Sequence, residues 1–179
     1  DGKGIIIMAV IILKKRRKMQ RKEEAKGMKV VVAIDSFKGS LSSIEAGNAV
    51  KNGILRCCPD AEVEICPLAD GGEGTMEALQ QTLGGTMEII SVSDPLGRKI
   101  EAGYVILEDR RTAVIEMSAA SGLPLLQPSE RNPMKTSTYG TGEMICDALD
   151  KGCRKFLVGI GGSATNDSGM GVLAALGFC

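Results

Sequence analysis

The sequence VGIGGSATNDSGMG, residues 158–171, joins an apolar run to a loop, and the whole stretch contains five glycines. Glycine permits close backbone approach, so successive N–H groups of such a loop can converge on a phosphate. A helix that begins at Gly169 would point the positive end of its dipole at the same anion. Because a carboxylate repels phosphate unless it holds a metal ion or accepts a proton, Asn166 and Asp167 together suggest Mg²⁺ coordination or a catalytic base.

The same stretch has a second interpretation as a tight strand-to-helix turn whose glycines serve packing alone. It matches neither the GxxxxGK[ST] pattern of P-loop proteins nor the GxGxxG pattern of dinucleotide-binding folds. The choice between a phosphate loop and a packing turn therefore depends on the rest of the chain.

Composition limits both the fold and the chemistry. Of 179 residues, 44% are hydrophobic and only 3% aromatic, which favours a loop-rich α/β enzyme. Lys plus Arg equals Asp plus Glu at 22 each, which argues against a nucleic-acid partner. The lack of histidine excludes histidine-based catalysis and histidine-containing zinc sites for this chain acting alone. The six cysteines form no CxxC pair, so we expect the reduced thiols of a cytoplasmic protein.

The first 27 residues differ from the rest. Their apolar run, residues 5–13, is too short to span a bilayer as a helix, and the KKRRK that follows it reverses the order of a secretory signal. A membrane-surface anchor with a basic flank is the alternative. We expect residues 1–27 to be a disordered extension before a native start at Met28, with no membrane partner.

From Met28 onward, strands alternate with loops and helices. Residues 29–34 predict a strand buried on both faces, and the capping box SSIE predicts the start of a helix shortly after it. Asp35 and Lys38 would then lie at the carboxyl end of a strand, where doubly wound folds bind ligands. Lys38 is equally compatible with a solvated surface lysine.

A second unit of the same kind follows. Residues 62–66 predict a strand, before the loop in PLADGGEGT and a further helix. Asp70 and Glu73 flank two glycines of this loop. Asp70 could cap the helix with Glu73 three residues on, a pattern that needs no ligand. We favour capping for Glu73 and a functional role for Asp70.

The pattern changes after a predicted third strand at residues 86–92, because the next two strands form a hairpin. We place a domain boundary near Ser93. Further on, the hydroxyl groups of TSTYGT, residues 136–141, could bind a hydroxy acid or phosphate, or could only cap the helix predicted at 143–150.

Six segments in order resemble the glycerate kinase family, which phosphorylates D-glycerate to 2-phosphoglycerate with ATP. The segments are VVVAIDSFKGSLSS, PLADGGEGT, SDPLGR, IEMSAASGL, NPMKTSTYGTGE and GIGGSATNDSGMG. The resemblance implies an α/β fold with a Rossmann-like parallel-sheet first domain, into which a second α/β domain is inserted. The expected segments are 28–92 of the first domain and 93–179 of the second, with the active site in the cleft between the domains.

The resemblance also favours functional roles for the motif residues. The residues expected to cradle the ATP phosphates are Gly161, Gly162, Ser163, Thr165 and Asn166. Asp167 and Asp70 would bind Mg²⁺ or deprotonate the glycerate hydroxyl, and Lys38 would offset negative charge. The residues expected to contact D-glycerate are Asp35, Ser36, Gly71, Gly72 and Thr138.

Members of this family are longer, so we expect both domains to be incomplete in this chain. The competing hypothesis is an inert fragment that at most binds nucleotide or a partner chain. A third is a kinase for a different sugar acid or hydroxy acid, which substrate preference would reveal.

Overall fold

The computed structural model describes residues 8–13, 28–37 and 40–178, and the chain divides between residues 69 and 70 into two units. Lys38 therefore lies outside the described residues, as does most of the extension before Met28. No helix in the described ranges is long and apolar enough to cross a membrane.

The first unit contains a three-stranded sheet and one helix. Its elements are β1 (Met8–Leu13), β2 (Lys29–Ile34), α1 (Ser43–Cys57) and β3 (Glu62–Pro67), and the strand order is β1-β2-β3. β2 and β3 are parallel, from Lys29 opposite Glu62 to Ile34 opposite Pro67. The predicted strand-helix-strand unit is therefore confirmed. β1 lies in the extension before Met28, which we expected to be disordered, and it pairs antiparallel with β2. Its sequence contains a run of β-branched residues, which favours an extended backbone.

The predicted capping box begins α1. The Glu45 N–H donates to Ser42 Oγ at 3.2 Å, and the Ser42 N–H donates to Glu45 Oε2 at 2.9 Å. Val30, Val32 and Ile34 of β2 are buried in one cluster with Ala46 of α1. The alternation of buried residues along β2 thus fixes the face on which the helix packs.

The second unit contains a four-stranded sheet in the order β4-β5-β6-β7. Its elements are α2 (Thr75–Leu83), β4 (Thr86–Ser93), β5 (Lys99–Ile106), β6 (Thr112–Glu116), α3 (Ser118–Ser121), α4 (Tyr139–Asp150), β7 (Lys155–Gly159) and α5 (Met170–Ala175). Two 3₁₀ turns lie at Leu123–Leu125 and Pro128–Glu130. The first three strands are antiparallel, which confirms the predicted hairpin, and β7 runs parallel to β6.

Helices cover both faces of this sheet. Tyr104 and Ile115 are fully buried in one cluster with Met144 of α4, whereas Val105 and Val114 lie in a second cluster on the α2 side. Neighbouring residues of a strand point to opposite faces, so β5 and β6 contribute to both clusters. This packing fixes the strand ends from which the loops of the candidate site emerge.

Three elements differ from the sequence-based expectations. β4 belongs to the sheet of the second unit, so the units divide earlier in the chain than the boundary near Ser93, which stays a prediction. α4 begins at Tyr139 instead of the predicted residue 143, since the segment YGTG is already helical. The helix after the glycine loop has only six residues, too short for its dipole to carry the anion-binding argument.

Candidate functional site

Two glycine-rich loops of the second unit lie against each other at the carboxyl ends of its parallel strands. We call residues 70–74 the first glycine loop and residues 159–165 the second glycine loop. The N–H of Gly161 donates to the carbonyl oxygen of Gly71 at 2.9 Å. Two motifs that are distant in sequence are therefore joined by a backbone hydrogen bond.

The contact between these loops requires glycine on both sides. A Cβ added to Gly159 would lie 2.5 Å from the carbonyl oxygen of Gly71, and a Cβ added to Gly161 would lie 2.6 Å from the Cα of Gly72. Both obstacles are backbone atoms, which have no rotamer to change. The packing interpretation of the glycines is therefore correct for these positions.

The second glycine loop is also held from its other side. The N–H of Leu123 donates to Gly162 O at 2.9 Å, and the N–H of Ala164 donates to Ser121 O at 2.9 Å. The segment IEMSAASGL therefore supports the second glycine loop through these two backbone hydrogen bonds. Within the described part of the chain, the backbone N–H groups of Gly162 and Ser163 donate to no backbone or side-chain acceptor. Such N–H groups on a fixed loop are suited to an anion.

Hydroxyl groups extend this donor set. Ser163 Oγ and Thr165 Oγ1 lie 2.8 Å apart, and the N–H of Thr165 donates to Ser163 Oγ at 3.1 Å. One of the two hydroxyl protons is used in this pair, so the other is available to donate outward. The neighbouring Asn166 is exposed to solvent.

The Asp167 carboxylate accepts hydrogen bonds on both oxygens. Its Oδ2 accepts from the Thr138 N–H at 2.8 Å, from Thr138 Oγ1 at 2.9 Å and from the Gly171 N–H at 3.1 Å, while Oδ1 accepts from the Gly169 N–H at 3.1 Å. Partial burial acts to raise the pKa of Asp167, but these donors, Thr138 foremost, outweigh it and hold the pKa below its ordinary value. The carboxylate is thus a weak base whose acceptor positions are largely occupied.

This geometry changes the role expected for Thr138. Thr138 is the N-cap residue of α4, but its side chain makes no capping bond there. Its hydroxyl bonds to Asp167 and accepts the Val172 N–H at 3.1 Å. The interpretation of TSTYGT as a simple helix cap is wrong for Thr138, because a carboxylate is a stronger partner for the hydroxyl than a backbone amide.

Asp70 does not cap α2. Its Oδ1 accepts the N–H of Gly72 at 3.0 Å, within the first glycine loop, and the N-cap position of α2 is Gly74. The proposed Asp70–Glu73 capping pair is therefore wrong, although its spacing fits one. The acceptor at this helix end is instead Glu116, whose Oε1 accepts the N–H of Met76 at 2.7 Å.

Glu116 was not predicted as a site residue. The available signal was a carboxylate at the end of the otherwise uncharged strand TAVIE. Burial raises the pKa of Glu116, against the lowering effect of the backbone N–H groups of Met76, Gly74 and Thr75.

The remaining predicted residues lie in the first unit. Asp35 and Ser36 follow directly after β2, as expected, and the Ser36 N–H donates to Asp35 Oδ1 at 2.7 Å. Lys38 belongs to the part of the chain that is not described. The structure thus joins Gly71 and Gly72 to the second glycine loop, Asp70 to Gly72, and Thr138 to Asp167.

The carboxylates of this region bear on the predicted Mg²⁺ site. Among the described residues, no three His, Cys, Asp or Glu side chains cluster in a way that could hold a metal ion. Mg²⁺ bound with nucleotide phosphates commonly uses only one or two protein carboxylates. Asp70 and Asp167 are the two carboxylates that the sequence predicted for this role.

Comparison with known proteins gives a consistent result. The family model described as the glycerate kinase family matches residues 30–179. A glycerate kinase from Haemophilus influenzae is 50% identical over 151 residues, which are 84% of this chain and 40% of that protein. A glycerate 2-kinase from Escherichia coli K12 is 47% identical over 150 residues, 84% of this chain and 39% of that protein.

A solved structure agrees with these relatives. The crystal structure of a candidate glycerate kinase 2 from Salmonella typhimurium LT2 matches with a TM-score of 0.73 and 48% identity, over 83% of this chain and 40% of that one. The chain thus spans about two fifths of the length of the proteins that it matches.

Proposed function

Because this chain belongs to the glycerate kinase family, we propose that it serves the transfer of the γ-phosphoryl group of ATP to D-glycerate in the cytoplasm, giving 2-phosphoglycerate and ADP. The observation that carries this proposal is the second glycine loop, which is fixed on both sides and whose Gly162 and Ser163 N–H groups donate to no acceptor among the described residues. The name of the Escherichia coli relative supports the 2-phosphate as the product.

The second glycine loop is proposed to hold the ATP phosphates. Phosphoryl transfer depends mainly on positioning and on neutralising negative charge, so a loop of N–H and O–H donors is useful without histidine. Gly161 contributes by fixing the loop, whereas Gly162, Ser163, Thr165 and Asn166 contribute donors.

The carboxylates are proposed to have separate roles. The low pKa of Asp167 keeps it ionised, and its bonds to Thr138, Gly169 and Gly171 make it chiefly the organiser of the loop end. Asp70 is the better candidate for a Mg²⁺ ligand or for the base that accepts the glycerate proton. Mg²⁺, when bound, would neutralise charge on the transferred phosphoryl group.

The residues proposed to contact D-glycerate are Asp35, Ser36, Gly71, Gly72 and Thr138. Lys38 would offset the charge of the glycerate carboxylate or the γ-phosphate. These assignments follow the family resemblance and the position of Asp35 and Ser36 after a parallel strand.

The experiment is an assay of glycerate-dependent ADP release by the purified chain with Mg·ATP, with a matched assay that omits glycerate. We expect ADP release only when glycerate is present, and phosphorus NMR should identify the 2-phosphate. Phosphorylation of another hydroxy acid in preference to glycerate would contradict the substrate assignment.

The alternative is a chain that binds nucleotide without catalysis. A folded sample that binds Mg·ATP by calorimetry but releases no ADP would support this alternative.

A further inference from the structure

Glu116 is a buried carboxylate that no step of the proposed reaction uses. It ends β6, and its side chain lies among fully or nearly fully buried neighbours, with 7% of the residue exposed. An ionised carboxylate in such a place needs strong partners, because burial of an unpaired charge is costly. Its Oε1 accepts the N–H of Met76 at 2.7 Å, and the N–H groups of Gly74 and Thr75 also stabilise the charged form.

This hydrogen bond provides the acceptor that the N-terminus of α2 lacks in its own segment. Gly74 occupies the N-cap position with a φ of 91° and has no side chain, so α2 receives no cap from its own segment. The first N–H groups of a helix need acceptors, and a negative charge is favourable at this end. Glu116 supplies the acceptor and the negative charge, although it is 40 residues further along the chain than Met76.

Glu116 also lies beside the second glycine loop. In the β6–β7 register its partner is Gly159, the first residue of that loop. Gly159 in turn is packed against the carbonyl oxygen of Gly71. One residue therefore holds the helix that follows the first glycine loop and flanks the start of the second.

We propose that Glu116 is a positioning residue that fixes the first glycine loop against the second. It acts through the start of α2 and touches neither substrate in this proposal. The consequence for nucleotide binding rests on the proposed function, whereas the consequence for the loop contact does not. The ordinary alternative is that Glu116 caps α2 with no effect beyond the helix.

Two backbone amides distinguish these roles by hydrogen exchange. The Met76 amide reports the bond to Glu116, and the Gly161 amide reports the bond between the loops. Glu116→Gln keeps the shape of the side chain but removes its charge. We expect the Met76 and Gly161 amides of the folded variant to exchange about tenfold faster, because hydrogen bonds to charged groups are the stronger ones.

The matched control is Glu101→Gln, on the exposed side of the neighbouring strand β5. It should leave both amides unchanged. Faster exchange at Met76 with normal exchange at Gly161 would overturn the proposal, because the effect would then end at the helix. If Glu116→Gln does not fold, Glu116→Asp, which keeps the charge on a shorter side chain, is judged by the same two amides.

Nucleotide binding provides the functional arm. We expect the Kd of Mg·ATP to rise about tenfold in Glu116→Gln and to stay unchanged in Glu101→Gln. If the unsubstituted chain binds no nucleotide, the proposed function fails for this chain, while the exchange of the Gly161 amide still decides the role of Glu116. If the Gly161 amide of Glu116→Gln exchanges faster but the Kd of Mg·ATP is normal, the proposed effect of Glu116 on nucleotide binding is wrong.

Discussion

At the scale of single residues, the sequence indicated which carboxylates belong to the candidate site but did not identify their hydrogen-bond partners. The segment GIGGSATNDSGMG directed attention to Asp167, but the partner of its carboxylate, Thr138, lies in a segment about 30 residues earlier. Asp70 and Glu73 have the spacing of a capping pair, yet the cap of α2 comes from Glu116. Local spacing predicts which chemistry is available, whereas the tertiary fold decides which partner is used.

The first prediction concerns Asp167→Asn. The amide nitrogen of Asn is a donor and would face N–H groups of Thr138 or Gly171, which now donate to the carboxylate. We expect a loss of about 1–3 kcal/mol in the free energy of unfolding at pH 7, because buried donors lose a charged acceptor. Urea denaturation measures this loss, and Asp60→Asn in an exposed turn should change stability by less than about 0.5 kcal/mol.

The effect should depend on pH in a defined direction. The pKa of Asp167 is lowered from 3.8 by folding, so its stabilising contribution is present above pH 3.8 and is lost as the pH falls through the folded-state pKa. The difference between the chain and Asp167→Asn should therefore shrink on acidification. A difference that stays constant between pH 7 and strongly acidic pH would show that the charge of Asp167 is irrelevant.

At the scale of elements, the sequence predicted most strands and helices because their patterns are local. The β-branched run of β2 and the capping box of α1 are complete signals within a few residues. The contact between the two glycine loops was not predicted, because a glycine pattern reveals that a close approach is possible but does not identify the other backbone. A substitution at one of these glycines tests the contact directly.

The second prediction is that Gly161→Ala separates the two loops. The new Cβ would lie 2.6 Å from Gly72 Cα and 2.8 Å from Gly72 N, so one backbone must move. We expect a loss of about 1–3 kcal/mol in the free energy of unfolding, as for overpacked sites, together with weaker Mg·ATP binding. Thermal unfolding and calorimetry measure the two effects.

The control for this substitution is Gly53→Ala in α1. No atom lies within 4 Å of the position that its Cβ would occupy, and alanine is favoured over glycine inside a helix by about 0.5–1 kcal/mol. We therefore expect Gly53→Ala to stabilise the chain slightly. Equal stability of the two variants would argue against a steric role for Gly161.

At the scale of the whole molecule, family and α/β class were predictable because six motifs occur in order over most of the chain. The membership of β4 in the second sheet was not predictable in the same way. Alternation identifies a strand and its buried face, but it carries no information about which strand will be its neighbour. The pairing of β6 with β7 likewise joins segments separated by α3 and α4.

The last prediction follows from the sheet edges. Among the described residues, β7 pairs only with β6, and Leu157 near its centre is 46% exposed. An apolar edge strand offers unpaired N–H and C=O groups to a second chain. We expect the chain to self-associate at micromolar concentrations, and Leu157→Lys to reduce this association, because a charge on an edge strand opposes pairing.

Sedimentation velocity over a range of protein concentrations measures the association. The matched control is Leu83→Lys, since Leu83 is similarly exposed but is the last residue of α2 and is not part of a strand. An equal reduction by both variants would indicate general apolar adhesion, whereas a reduction by Leu157→Lys alone would assign the contact to the β7 edge. A monomeric unsubstituted chain would contradict the prediction, because the edge would then be protected without a partner.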